Sequence, residues 1–321
     1  MTSPRRAVAE RRNVDVSVLV PANDEAENLP LFMEQAAEAF ADAGVGYEVV
    51  VIDDGSTDGS WDVLQRLMAT YPFLRVERHR SRRGIADALR TGYLASHGRV
   101  LVFYPADLQF KPEDIPRLVA PILANEADMV TGFKQGKYEK AFVSGIYNGL
   151  SRTLFHVPVR DLNSVKAYRR EIMDELPIRP DWHRYMIVLA AAQGYTVAEI
   201  PIPLYPRNAG KSKFGISRIP IGVLDMLAVW FELRFGKKPL LLFGMVGALL
   251  FALGVLAGVV ALITLAVAGI GIRAVWTVIQ TCLILGSVFF VGGLLGEMIA
   301  VQRAEVRELR RRFDARETGE D

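Results

Sequence analysis

The N-terminal part of the chain alternates between short apolar runs and longer stretches with helical periodicity. Val14–Val20, Tyr47–Ile52 and Val100–Tyr104 are apolar runs that each stop abruptly at polar residues, which is typical of buried strands. Helical stretches separate these runs, the first from about Leu29 to Ala43. Strands that alternate with helices predict a mostly parallel sheet in an α/β fold.

Acidic residues follow three of the predicted strands, at Glu25, Asp53 and Asp107. The carboxyl ends of parallel strands meet at one edge of a sheet, where open α/β folds bind ligands. Asp107 and Gln109 lie one residue apart, so both can offer oxygen to one cation that also binds phosphate oxygens. A polar turn after the strand is the alternative. Asp53 is expected to accept hydrogen bonds from a base or ribose, unless its loop only caps the next helix.

Cationic residues recur further along the chain. Lys140 and Ser144 lie four residues apart on a predicted helix, Lys137–Phe155, where they could hold a phosphate monoester or could be solvated surface. The Gly/Ser loop from Arg207 to Phe214 includes Lys213 and predicts a flap over a diphosphate. His183 could orient a substrate, but a capped, partly exposed side chain is the preferred interpretation.

The C-terminal part has the pattern of a membrane protein. No charge occurs in 239–272 or in 274–296, and each segment exceeds the ~20 residues needed to span a bilayer. Lysine and arginine flank the outer ends of the two segments, whereas Arg273 lies between them, so both ends are expected in the cytoplasm. The preceding stretch, 216–238, is predicted to be an interfacial helix.

Composition agrees with a soluble part joined to a membrane part. The 321 residues are 51% hydrophobic yet 23% charged, and the mean hydropathy is +0.20. The net charge of +2 argues against binding to nucleic acid. The single cysteine, Cys282, excludes an internal disulfide and a cysteine-based zinc site.

Four motifs in succession resemble a known family: VPANDEAENLP, VIDDGSTDGSWDVL, RRGIADALRTGY and YPADLQFKPEDIP. Together they are similar to the nucleotide-sugar half of inverting family 2 glycosyltransferases with the GT-A fold. Within that family they most resemble the polyprenyl-phosphate glycosyltransferases, which include the dolichol-phosphate mannose synthases and their bacterial relatives with two membrane helices. The resemblance covers about residues 14–305.

The resemblance implies roles for particular residues. The nucleotide sugar would be bound by Pro21, Ala22, Glu25, Asp53, Asp54, Ala106 and Asp107. Asp107 and Gln109 would bind Mg²⁺ or Mn²⁺, and these two residues with Arg207 and Lys213 would be catalytic. The lipid phosphate would be bound by Lys134, Lys140 and Ser144.

The chain departs from the family pattern in two places. Pro105 stands where relatives usually have the first aspartate of a D-x-D motif. The acceptor-side motif at Asp161-Leu162-Asn163-Ser164-Val165-Lys166 is one residue short and lacks the usual glycine, which leaves the role of Asp161 open.

The charge and hydropathy patterns predict the domain order, and the resemblance implies the reaction. Residues 1–13 would form a flexible basic tail, 14–215 a GT-A domain, 216–238 an amphipathic juxtamembrane helix, 239–302 a transmembrane hairpin and 303–321 a cytoplasmic tail. The expected enzyme transfers a hexose, such as mannose or glucose, from a GDP- or UDP-linked sugar to a polyprenyl phosphate. It would lie in the inner (plasma) membrane as a homo-oligomer, a tetramer in relatives. The alternatives are a non-catalytic nucleotide-sugar sensor and a processive polysaccharide synthase.

Overall fold

The computed structural model describes residues 14–41, 43–135, 149, 151, 153–155, 159–176, 179, 182–209, 219–269, 271 and 273–318. Lys140, Ser144 and Lys213, which the sequence analysis places in the site, lie outside these ranges, as does the basic tail. The chain divides into two units at residue 226.

The first unit is built on a seven-stranded sheet in the order β3-β2-β1-β4-β6-β5-β7. The strands are β1 Val16–Ala22, β2 Tyr47–Asp54, β3 Leu74–His79, β4 Val100–Phe103, β5 Met129–Gln135, β6 Lys166–Arg169 and β7 Val197–Pro203. All neighbouring strands are parallel except β6, which is antiparallel to both β4 and β5. The predicted α/β fold with a mostly parallel sheet is confirmed.

Helices cover the sheet. They are α1 Leu29–Ala41, α2 Ser60–Thr70, α3 Ile85–Ala95, α4 Ile115–Leu123, α5 Arg170–Glu175 and α6 Met186–Ala192, with 3₁₀ turns at Pro112–Asp114 and Trp182–Tyr185. The buried side of α1 consists of Leu29, Phe32, Met33, Ala36 and Phe40, whose helical spacing places them on one face. That face joins the core with the apolar side chains of β1, β2 and β4.

Two strands differ from the sequence-based expectation. The pattern predicts that β7 ends at Ile200, but the strand continues through Pro201 to Pro203. It can do so because β7 is at the edge of the sheet, where a proline without N–H removes no essential hydrogen bond. The short strand β6 was not predicted at all, since a lysine, Lys166, opens it.

Three helices occupy the C-terminal part of the chain: α7 Ile219–Phe235, α8 Pro239–Ala268 and α9 Arg273–Thr318. Helices α8 and α9 are long and apolar enough to cross a membrane, and few residues of their most apolar windows are buried within the protein. Gly247 and Gly286 let the two helices approach closely, because a Cβ on Gly286 would lie 2.6 Å from Phe251 N. Helix α9 continues without a break to Thr318.

Candidate active site

The carboxyl ends of β1, β2 and β4 form one edge of the sheet. Ala22 of β1 is paired with Asp53 of β2, and Leu19 of β1 with Phe103 of β4, all in parallel register. The segments that follow these strands therefore leave the sheet side by side. The structure thus groups Glu25, Asp53 and Asp107 at this edge, as the sequence predicts.

Asp107 lies in the tight turn that follows β4. Its neighbour Leu108 adopts a left-handed backbone conformation, with φ of 58°. Asp107 is only 8% exposed, and its Oδ1 accepts a hydrogen bond from the Gln109 amide at 3.2 Å. Burial raises the pKa of Asp107, and the nearby positive charge of Arg207 opposes that shift.

Arg207 is the cation around which the acidic groups gather. Its Nη2 lies 2.8 Å from Asp107 Oδ2 and 3.5 Å from Gln109 Oε1, and its Nη1 lies 3.9 Å from Glu25 Oε1. The structure therefore brings four of the predicted site residues together. The Arg207 segment is fixed here by a hydrogen bond from the Tyr205 amide to the Gln109 carbonyl at 2.9 Å.

Sequence reasoning missed one residue of this group, Asn28. Its Nδ2 donates to Glu25 Oε2 at 2.6 Å, and its Oδ1 accepts a hydrogen bond from Asn208 Nδ2 at 3.0 Å. Asn28 is buried and so connects the end of β1 to the loop that carries Arg207. The sequence signal that could have identified Asn28 is its place as a polar residue directly before the first apolar residue of α1.

The residues predicted to bind a divalent cation fit that task in geometry and chemistry. Asp107 and Gln109 both direct an oxygen at the same guanidinium nitrogen of Arg207, so two hard oxygens already surround one cationic atom. No group of three or more His, Cys, Asp or Glu residues that could hold a metal occurs in the part of the chain that the structure describes. An ion bound here would therefore need further oxygens from a phosphorylated ligand or from water.

Asp53 is fully buried, and one of its carboxylate oxygens accepts no hydrogen bond from the residues described. Oδ1 accepts a hydrogen bond from the Ser56 amide at 2.9 Å. Arg78 Nε lies 3.2 Å from Oδ2, but it is not aligned as a donor, and Oδ2 has no hydrogen-bond partner among the residues described. A buried carboxylate oxygen without a donor can accept one from a bound base or ribose. Pro21 and Ala22 lie next to Asp53 on β1.

Asp54 is engaged by protein donors instead. Its Oδ1 lies 2.8 Å from His79 Nδ1 and accepts from the Arg83 amide, while Oδ2 accepts from the Gly84 amide at 2.8 Å. These bonds hold the loop before α3 against the end of β2. Gly55 belongs to the same contact, because its φ is +70° and a Cβ there would lie 2.7 Å from Arg82 N.

The acceptor side of the predicted site lies at the end of β5. Lys134 Nζ is 3.1 Å from Asp161 Oδ2 and donates to the Asn163 carbonyl at 3.0 Å. Asp161 is buried, and its Oδ1 accepts from the Asn163 amide at 3.0 Å, so the shortened motif still forms a tight turn.

His183 was expected to be a partly exposed cap, and this expectation is wrong. The side chain is buried with its ring edge toward Phe103, at 6.3 Å between ring centres. Burial lowers the pKa of His183 well below its ordinary value, so the imidazole is neutral. The apolar neighbours that bury it are distant in sequence, which is why the local pattern does not predict this.

Known proteins are similar to this chain over most of its length. Residues 17–174 match the family model described as Glycosyl transferase family 2. The dodecaprenyl-phosphate galacturonate synthase of Rhizobium johnstonii is 28% identical over 253 residues, which cover 76% of this chain and 75% of that protein. The undecaprenyl-phosphate 4-deoxy-4-formamido-L-arabinose transferase of Shewanella sediminis is 27% identical over 304 residues, 92% of this chain and 90% of that protein. The dolichol-phosphate mannosyltransferase of Pyrococcus furiosus is 30% identical over 210 residues, 62% of this chain and 58% of that protein.

A solved structure shares the fold. Glucosyl-3-phosphoglycerate synthase from Mycobacterium tuberculosis, in complex with Mn²⁺, UDP and glucosyl-3-phosphoglycerate, matches with a TM-score of 0.56 and 19% identity, over 70% of this chain and 81% of that chain. The sequence motifs, the strand-end geometry and the family match agree. Residues 17–174 of this chain form a glycosyl transferase family 2 domain with the GT-A fold, and polyprenyl-phosphate glycosyltransferases are among the relatives of the chain.

Proposed function

We propose that this protein transfers a sugar from a nucleotide sugar to the phosphate of a polyprenyl phosphate, with inversion at the anomeric carbon. The observation that carries the proposal is the meeting of Glu25, Asp107, Gln109 and Arg207 at the end of the parallel strands. Such an arrangement of oxygens and a guanidinium group suits a diphosphate leaving group. Relatives named for three different polyprenyl-phosphate transferases support the acceptor class.

The donor would lie across the edge formed by β1, β2 and β4. Asp53 Oδ2 would accept a hydrogen bond from the base or ribose, with Pro21 and Ala22 beside it. Ala106 and Asp107 would lie next to the diphosphate. Asp54 would contribute indirectly, because its carboxylate holds the loop before α3.

Asp107 and Gln109 would hold Mg²⁺ or Mn²⁺, and the ion would stabilise the negative charge of the departing nucleoside diphosphate. Solved structures with this fold contain Mn²⁺ or Mg²⁺ together with UDP, which supports a divalent ion. Arg207 would bind the diphosphate once it leaves Asp107, and Lys213 would assist it.

The acceptor needs no general base from the protein. A phosphate monoester has a second pKa of about 6, so most of it is doubly ionised at neutral pH and is already a nucleophile. Lys134, together with Lys140 and Ser144, would bind this phosphate. The Pro105 substitution for the usual aspartate therefore leaves the chemistry possible.

The acceptor's hydrocarbon tail accounts for the membrane part. We infer that α8 and α9 form a transmembrane hairpin in the inner membrane, with the first unit and both termini in the cytoplasm, and that the protein assembles as a homo-oligomer. The distribution of lysine and arginine supports this orientation. A reporter fused after Asp321 should be cytoplasmic, and a tag inserted beside Arg273 should be labelled only from outside the cell. The opposite labelling would contradict the orientation.

Purified protein incubated with a panel of nucleotide sugars and a short polyprenyl phosphate tests the reaction. Relatives are named for galacturonate, formamido-arabinose and mannose, so the panel must include uronic acids and amino sugars as well as neutral hexoses. We expect one sugar to appear in an organic-soluble product that is released by mild acid. A water-soluble polymer would indicate a polysaccharide synthase. Donor binding without turnover would indicate a sensor.

A further inference from the structure

Lys166 is a buried lysine that the proposed reaction does not use. It opens β6, where it is paired with Phe103 at the end of β4, and its residue exposure is 1%. Nζ lies 5.5 Å from the centre of the Phe103 ring and donates to the carbonyls of Leu162 and His183, each at 3.3 Å. Burial lowers the pKa of Lys166 to about 7, although the carboxylate of Asp161 opposes the shift.

A buried ammonium group is costly, and an apolar side chain of similar length would pack in its place at lower cost. The position is therefore better explained by what the ammonium contacts than by packing. One of its two bonds goes to Leu162, which is the residue between Asp161 and Asn163. The other goes to the 3₁₀ turn Trp182–Tyr185. Lys166 thus ties the turn formed by residues 161–163 to a separate buried segment.

The turn formed by residues 161–163 also contacts Lys134. Asp161 Oδ2 and the Asn163 carbonyl oxygen both contact Lys134 Nζ, at 3.1 and 3.0 Å. A bond from Lys166 to Leu162 therefore fixes the peptide units that lie between these two oxygens. The Lys134 side chain is 15% exposed, so it can contact a ligand, whereas Lys166 cannot.

We propose that Lys166 is a positioning residue for the acceptor phosphate: through the 161–163 turn it fixes Asp161 and Asn163, and they in turn hold Lys134 in the orientation that binds the phosphate. This inference rests on the proposed function, because the phosphate in question is that of the polyprenyl acceptor. The negative charge of Asp161 and the positive charges of Lys134 and Arg184 all act on the Lys166 ammonium. Positive charge at this end of the sheet favours a dianion.

Kinetics with both substrates test the inference. Lys166→Met should raise the KM for polyprenyl phosphate by roughly tenfold and leave the KM for the nucleotide sugar within about twofold, since one substrate alone depends on Lys134. Asp161→Asn should show the same separation. Arg99→Met is the matched control, because it removes a cation of an exposed ion pair at the opposite end of β4 and should change neither KM. An equal rise in both KM values would overturn the proposal.

A double-mutant cycle shows whether Lys166 acts through Lys134. If it does, Lys134→Met combined with Lys166→Met should raise the acceptor KM little more than Lys134→Met alone, because residues in one network are not additive. Independent, multiplying effects would mean that Lys166 affects the acceptor by another route, and the proposal would be wrong.

A chemical measurement separates this inference from the proposed reaction. Limited acetylation with acetic anhydride, followed by peptide mass spectrometry, reports how accessible each lysine is in the full-length protein. Lys134 should be labelled several-fold faster in Lys166→Met and in Asp161→Asn, while Lys111 serves as an internal reference. If the wild-type protein makes no product from polyprenyl phosphate, the proposed function fails, and the labelling still tests the positioning. Unchanged labelling of Lys134 would refute the positioning itself.

Discussion

The buried ammonium of Lys166 should make the stability of the protein depend on pH. Burial lowers its pKa in the folded state to about 7, from 10.5 for an exposed lysine. Below pH 7 both states are protonated, so the folded state bears the full cost of the buried charge. Between pH 7 and 10.5 the unfolded state binds a proton that the folded state does not, so the free energy of unfolding rises with pH. Lys166→Met removes this dependence.

The size of the effect follows from the same two values. One pKa unit corresponds to about 1.4 kcal/mol, so at pH 7 the buried charge costs at most roughly 4 kcal/mol. The variant also loses the bonds to the Leu162 and His183 carbonyls, at about 1 kcal/mol each. We therefore expect Lys166→Met to be more stable than wild type by about 2 kcal/mol at pH 7. The advantage should vanish near pH 9, as the lysine cost declines with rising pH.

Thermal unfolding in detergent at several pH values between 6.5 and 9.5 measures this difference. The quantity of interest is the difference in Tm between variant and wild type, because groups common to both proteins cancel. The charged and titratable groups that face Lys166 are Asp161, Lys134, Arg184 and His183, and the neutral His183 does not titrate in this range. The reasoning would be refuted if the Tm difference between variant and wild type were constant across the range. It would also be refuted if the variant's advantage over wild type were smaller at pH 7 than at pH 9. Arg99→Met should follow wild type throughout.

Three further predictions concern the site and the membrane part. Asp107→Asn should lower kcat by about a hundredfold or more because a charged ligand of the proposed ion is lost, and equal wild-type activity in EDTA and in Mg²⁺ would contradict this. Pro105→Asp should leave kcat within about tenfold of wild type, since the acceptor phosphate is already ionised; a hundredfold gain in a direct kinetic comparison would show that the natural protein is impaired. Gly286→Ala should destabilise the α8–α9 hairpin by about 2 kcal/mol or more, because its Cβ would lie 2.6 Å from Phe251 N, whereas the Cβ of Gly292→Ala would meet nothing within 4 Å, so that variant should match wild type in detergent melting experiments.

The parallel part of the sheet could be predicted from sequence because its information is local. Strands β1, β2 and β4 are mostly apolar and are followed by polar residues, and nearly all of their residues are buried. Strand β6 carries no such signal, since its first residue is a lysine whose burial depends on Phe103 and on the Trp182–Tyr185 turn. The same long-range dependence concealed the burial of His183. Local patterns therefore predict strands whose partners are apolar and miss strands that bury a charge.

Adjacent acidic residues illustrate a second limit. Asp53 and Asp54 both fit the resemblance to a nucleotide-sugar site, but successive side chains of a strand point to opposite faces. Asp53 keeps an oxygen without a hydrogen-bond partner among the described residues, while Asp54 accepts from the amides of Arg83 and Gly84. The two residues are adjacent aspartates of the same motif, so the sequence does not distinguish their roles. The packing of β2 against β3 and against the loop before α3 gives Asp54 a structural role. The same packing leaves Asp53 Oδ2 as a candidate acceptor for a ligand.

The contacts of Arg207 with Asp107 and Gln109 could not be predicted from the sequence motifs. The sequence assigns Asp107 and Gln109 to a cation and Arg207 to a diphosphate, as separate contributions. In the structure one nitrogen of Arg207 contacts oxygens of both other residues, at 2.8 and 3.5 Å. Those oxygens can take a divalent ion only after Arg207 moves away, since two cations cannot share the same oxygens at such distances without strong repulsion. The negative charge that attracts an ion also retains the arginine, so a diphosphate that draws Arg207 toward itself would free Asp107 at the same time. Donor and ion are therefore expected to bind cooperatively at this edge of the sheet.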